Sequence, residues 1–155
     1  MNALRVAVAG LMLGTVTFFS VGASAARQVD GAVRRSVWDK VYTEAQASRG
    51  EELYGRHCAE CHGSGLDGDA PSEIPALAGD SFMQRWSAKN VDDLLARMQR
   101  SMPSTAPGSL TRAQYADLVA YLLKSNEFPA GFDALGTDSE RLRQIVIQRT
   151  PDGPR

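Results

Sequence analysis

Apolar residues recur at helical spacing in four stretches of this chain, and three of those stretches open on a recognisable cap. In the first, Ala47, Gly50, Leu53, Tyr54 and His57 fall on one face of a helix expected from Glu44 to about Ala59. Thr43 caps it, and Gln46 three residues later completes a capping box. Phe82, Met83 and Trp86 make a shorter stripe in a helix starting after Asp80. Val91, Leu94, Leu95 and Met98 mark a third helix, Val91 to about Arg100, capped by Asn90 with Asp92 and Asp93 in its first turn. Thr111 and Gln114 form a second capping box. The helix they open runs to about Ser125, with Tyr115, Leu118, Val119, Tyr121 and Leu122 inside.

The segments between these helices are also patterned. Gly63 to Asp69 is polar and rich in Gly and Asp, the composition of a turn-forming loop. Ile74 to Gly79 is a small apolar island between breakers, suited to lie against something flat and apolar. Ser101 to Ser109 has no periodicity and reads as a loop bounded by prolines. Residues 26–42 read as an extended arm that adheres through Val37, Trp38, Val41 and Tyr42. Beyond Phe128, the run Leu142, Ile145, Val146, Ile147 fits the end of a short helix or a strand, and residues 150–155 are expected to fray. Gly50 inside a helix costs about 1 kcal/mol relative to Ala, so a close crossing of another helix is its expected justification.

The first 25 residues carry a different pattern. A short positive start ending at Arg5 precedes an uncharged apolar run, Val6 to Val21, and then Ala23-Ser24-Ala25. That sequence has the layout of a secretory signal with a small-x-small cleavage site. An uncleaved membrane anchor is the competing reading, weakened by Thr15, Thr17, Ser20 and Gly22 within the run. Cleavage near Ala25 implies a periplasmic protein with no stable membrane insertion. It also removes Arg5 alone among charged residues, taking the formal charge from −1 to −2. The remaining Lys and Arg are scattered, which argues against a nucleic-acid partner.

Candidate chemistry is concentrated in His57-Cys58-Ala59-Glu60-Cys61-His62, which holds both cysteines and both histidines of the chain. Cys-x-x-Cys-His is the attachment signature of a c-type haem. Two thiols three residues apart share one side of a helical turn, where each can form a thioether to a porphyrin vinyl group. The following imidazole, His62, then reaches the iron as an axial ligand. A thioredoxin-type disulfide lacks its βαβ setting. A zinc site would need four ligands from six residues to converge on a tetrahedral centre, with no second knuckle.

The sixth iron position separates an electron carrier from an open-site haem enzyme or sensor. Met83, Met98 and Met102 are the methionines outside the signal segment. Met98 lies on a helical stripe and Met83 beside Phe82 and Trp86, whereas Met102 sits in the proline-bounded loop, held extended by Pro103. Met102 is the expected ligand, with thioether sulfur favouring the ferrous state.

Taken together, these residues resemble the class I c-type cytochromes over Thr43 to Gly131. The carriers of the resemblance are Cys58-x-x-Cys61-His62, Pro75-Ala76-Leu77-x-Gly79, Met102-Pro103 and Leu118-x-x-Tyr121-Leu122. It implies an all-α cytochrome c fold, helices packed around one covalently attached haem c per chain. The domain would span 43–131, between the arm 26–42 and a C-terminal extension 132–155. It also implies that Gly50 and Tyr54 meet Leu118 and Tyr121 at a helix crossing, and that the Pro75 carbonyl bonds the His62 ring. Leu77 would line the haem, and Trp86 would reach a propionate. Ser36-Val37-Trp38-Asp39, the Met102–Leu110 run and Phe128-Pro129-Ala130-Gly131 are similar to cytochrome domains associated with quinone-cofactor (PQQ) dehydrogenases, although Glu127 stands where that pattern has glycine. The function so implied is one-electron transfer without catalysis, a quinoprotein dehydrogenase being the candidate donor and an oxidase or another cytochrome the acceptor. The alternatives are a fixed subunit of a dehydrogenase or oxidase complex, or a haem enzyme or sensor with an open sixth site.

Overall fold

The structure, a computed structural model, describes residues 34–150. The expected signal segment 1–25, the first residues of the arm and the tail 151–155 lie outside the described residues. The caps read from the sequence set the starts of three of the helices. Helix α1 (Glu44–His57) starts where the Thr43 hydroxyl accepts from the Gln46 N–H at 3.2 Å. A four-residue helix, α2 (Ala59–His62), comes after a break at Cys58. Then come α3 (Gly79–Trp86), α4 (Val91–Ser101) and α5 (Arg112–Ser125). Asn90 with Asp93 and Thr111 with Gln114 form reciprocal capping boxes at the starts of α4 and α5.

Three expected boundaries shift. The first helix does not reach Ala59, because Cys58 leaves helical geometry (φ −130°, ψ −35°). The helix around Phe82 begins at Gly79 rather than after Asp80, and α4 runs one residue past Arg100. The capping box expected at Thr43 is one-sided. Gln46 is buried and turns its amide to Leu135 instead, donating to its carbonyl at 2.9 Å and accepting from its N–H at 2.7 Å. A distant backbone pair offered Gln46 two hydrogen bonds, against the single one available at the cap.

Helices α1 and α5 cross at Gly50, where a Cβ would land on the Asp117 carbonyl and against Tyr121. Tyr54 and Tyr121 pack nearby with ring centroids 5.2 Å apart, and Arg49 pairs with Asp117 at 2.8 Å. Of the contact expected from the resemblance, the Tyr121 side is present, joined by the Asp117 carbonyl. Tyr115, Leu118, Val119 and Leu122 are buried as their spacing predicts, with Tyr121 at the margin of the core. Glu127 after α5 takes the left-handed backbone itself (φ 64°), so the turn keeps a glycine-like shape at a cost of about 1–2 kcal/mol.

The arm and the extension pack onto this helical body. Residues 35–42 are not simply extended: strand β1 (Arg35–Ser36) leads into a 3-10 turn, Val37–Asp39. The region after Phe128 contains both candidate forms, a short helix α6 (Ser139–Arg143) and strand β2 (Ile145–Val146) parallel to β1. Val37, Val41, Tyr42, Leu142, Ile145 and Ile147 are buried in the core, and the Trp38 indole N–H donates to the Gln148 carbonyl at 3.0 Å. Among the described residues no helix is long and apolar enough to cross a membrane.

Candidate functional site

A cavity of about 420 Å3 opens between the end of α1, the island after Ile74 and the end of α4. The break at Cys58 builds its first side. The Cys58 N–H still bonds back to Tyr54 (2.9 Å), while its carbonyl accepts from the N–H groups of Cys61 (3.1 Å) and His62 (2.9 Å). That one turn brings Cys58, Cys61 and His62 to the cavity lining together. Burial, and secondarily the Cys61 thiol, push an unmodified Cys58 thiol up to about 11.

His62 is 7% exposed, and its Nδ1 lies 3.0 Å from the Pro75 carbonyl oxygen. A carbonyl only accepts, so Nδ1 carries the proton and Nε2 keeps its lone pair for a metal. Two further bonds close this segment, from the Gly68 N–H to the His62 carbonyl (2.9 Å) and from the Tyr54 hydroxyl to the Gly63 carbonyl (2.6 Å). Burial is the main cause that pushes Tyr54 well above the ordinary tyrosine range, which keeps it a neutral donor.

Every residue expected at the site lines this cavity: Cys58, Cys61, His62, Pro75, Leu77, Trp86 and Met102. Met98 lines it too, rather than serving only as core, while Met83 is buried elsewhere in the core. His57 departs from expectation. It is exposed at the last position of α1 rather than buried with the inner face, yet it too lines the cavity. Met102 ends α4 with an extended backbone (φ −131°, ψ 148°), as its place before Pro103 predicts. Its N–H bonds the Met98 carbonyl at 2.7 Å and its carbonyl accepts from the Tyr115 hydroxyl at 2.6 Å.

Sequence reasoning missed four residues. Tyr54 and Tyr115 were legible as core but not as donors to the two segments around the cavity. Arg85 and Arg97 also line the cavity. On their helices they sit beside the apolar stripes, where a cation signals nothing unless the neighbouring hollow is known.

The donor set fits a covalently held haem. Two unpaired thiols, an imidazole with a fixed proton and the thioethers of Met98 and Met102 share one hollow of otherwise largely apolar side chains. Zinc fits less well, since among the described residues no three of His, Cys, Asp and Glu gather as a metal-ion site. Fold and cavity together define a c-type cytochrome. Residues 45–122, half of the chain, match the family model described as cytochrome c oxidase, cbb3-type, subunit III, and the chain belongs to that family of c-type cytochrome domains. The family implies covalently attached haem c. Cytochrome c-551 of Bacillus subtilis (strain 168) is 31% identical over 61 residues, 39% of this chain and 50% of that protein. The chain thus spans about half the length of this curated relative. No solved structure matches it significantly.

Proposed function

We propose that this chain is a periplasmic one-electron carrier, not an enzyme, whose haem is linked through Cys58 and Cys61 and ligated by His62 and Met102. The observation that carries the reading is the shared cavity. His62, with Nδ1 committed to Pro75 at 3.0 Å, lines the same hollow as both thiols and Met102. When bound, the haem iron supplies the change between ferric and ferrous states. The chain's own residues hold and orient: Pro75 fixes the tautomer and direction of the imidazole, and Leu77 and Leu118 keep water from the ring. Trp86 and Arg85 offer polar and cationic partners for the propionates.

The buried apolar residues of the arm and extension support a free carrier, because they are spent on this chain rather than left for a partner. A quinone-cofactor dehydrogenase is the proposed donor. An oxidase is the proposed acceptor, in keeping with the description of the matched family. The signal segment 1–25 would direct export, with cleavage near Ala25.

The test is Met102→Ala in the mature holoprotein. It should abolish the weak far-red sulfur-to-iron band of the ferric state and let the ferrous state bind carbon monoxide. A band that survives in the variant would remove Met102 as ligand. An unaltered protein that binds carbon monoxide would favour an open-site enzyme or sensor.

A further inference from the structure

The geometry points to Tyr115 as a positioning residue for the sixth iron ligand, although it does not line the cavity. Its side chain is fully buried in α5, and its hydroxyl donates to the Met102 backbone carbonyl at 2.6 Å. On its other side Met102 is held by the bond from its N–H to the Met98 carbonyl, within its own helix end. The loop beyond Pro103 contributes little anchorage. Residues 104–109 are exposed, and the backbone bonds there, Ala106 to Pro103 and Ser109 to Ala106, are local turns. The Tyr115 hydroxyl is the hydrogen bond that ties the Met102 backbone to α5.

Tyr54 supplies a matched case. Its hydroxyl donates to the Gly63 carbonyl, also at 2.6 Å, one residue after His62. There the neighbouring ligand is secured twice more, through Pro75 to the ring and Gly68 to the backbone. Removing one tyrosine hydroxyl should therefore act unequally on the two segments. The Tyr115 hydroxyl holds Met102 over the cavity and sets how readily an external ligand displaces its sulfur. This rests on the reading of Met102 as the axial ligand.

The experiment titrates imidazole into the ferric holoprotein and reads displacement as loss of the far-red band. Tyr115→Phe keeps the buried ring and should raise imidazole affinity about two- to tenfold, the range that one net hydrogen bond represents. Tyr54→Phe should leave that affinity within about twofold while lowering the thermal midpoint as much as Tyr115→Phe does, since each loses one hydrogen bond. Unchanged affinity in Tyr115→Phe overturns the proposal, and so does an equal rise in both variants, which would signal general loosening. Met102→Ala separates the axial assignment from the positioning role. If it keeps the band, the axial assignment fails; if it loses the band while Tyr115→Phe changes nothing, only the positioning role fails. A second measurement needs no variant and so survives a Tyr115→Phe protein that does not mature. The Tyr115 hydroxyl proton should exchange slowly with solvent and speed up when imidazole replaces Met102. Equal exchange in both states overturns the proposal.

Discussion

The two segments that face the cavity are built differently, although each is tied by a tyrosine to one of the two crossed helices, Tyr54 of α1 and Tyr115 of α5. Around His62, three bonds converge from separate places, Pro75 on the ring, Gly68 on the carbonyl and Tyr54 on the next residue, besides the Cys58 bond within its own helical turn. Around Met102, one bond comes from its own helix and one from Tyr115. Bonds from separate elements must break together for a group to move, whereas a helix end frays by itself. The histidine segment is thus part of the fold, and the methionine segment is attached to it. In the proposed carrier, any exchange of ligand begins at Met102.

The largest expected effect strikes what both segments share. Gly50→Val would push a branched side chain into the Asp117 carbonyl and Tyr121, forcing α1 and α5 apart. A loss of about 3 kcal/mol is expected from such overpacking, read as a lowered urea midpoint. The far-red band should weaken in step. A band that fails alone, with the urea midpoint unmoved, would mean that the crossing supports only the methionine segment.

A smaller change should reach the histidine segment alone. Gly68 has φ 67°, and a Cβ there would press on the Ile74 carbonyl and on Pro75, the acceptor for His62. Gly68→Ala should cost about 1–3 kcal/mol through backbone strain and displacement of that strand of loop. The far-red band should persist, since Met102 and Tyr115 are untouched. Losing the band in Gly68→Ala at full stability would reverse the ranking of the two segments.

The features legible in the sequence and those hidden from it divide in the same way, between local and distant causes. Asn90 and Thr111 announced their helices because a cap and its partner lie three residues apart. Cys58, Cys61 and His62 were legible for the same reason, and Met102 because Pro103 comes next. Gln46 misled because its better partner, Leu135, is 89 residues away. His57 was placed on the right side of its helix but is exposed, because it faces an open cavity at the helix end rather than the core. The pairing of β1 with β2 and the hydroxyl bonds of Tyr54 and Tyr115 depend on the folded arrangement, so a buried tyrosine in the sequence reads only as core.

The smallest effect lies outside both segments and tests whether they can be separated from the fold at all. Tyr42 is buried and its hydroxyl donates to the Phe128 carbonyl at 2.6 Å. Burial first, and the Glu44 charge second, push its pKa up to about 12. An unfolded tyrosine ionises near pH 10, so between about 10 and 12 the folded chain holds a proton that the unfolded chain has lost. Stability from this group is fully present below about pH 10 and falls as pH rises through that window. Tyr42→Phe has no such proton. Its unfolding midpoint should decline less steeply there, after losing about 1 kcal/mol at neutral pH with the hydrogen bond. Tyr42 is not among the residues lining the cavity. An alkaline titration of the far-red band should therefore show the same midpoint in the variant and the unaltered protein. If both midpoints move together, Met102 leaves only when the whole domain opens, and the distinction between an integral histidine and an attached methionine does not hold.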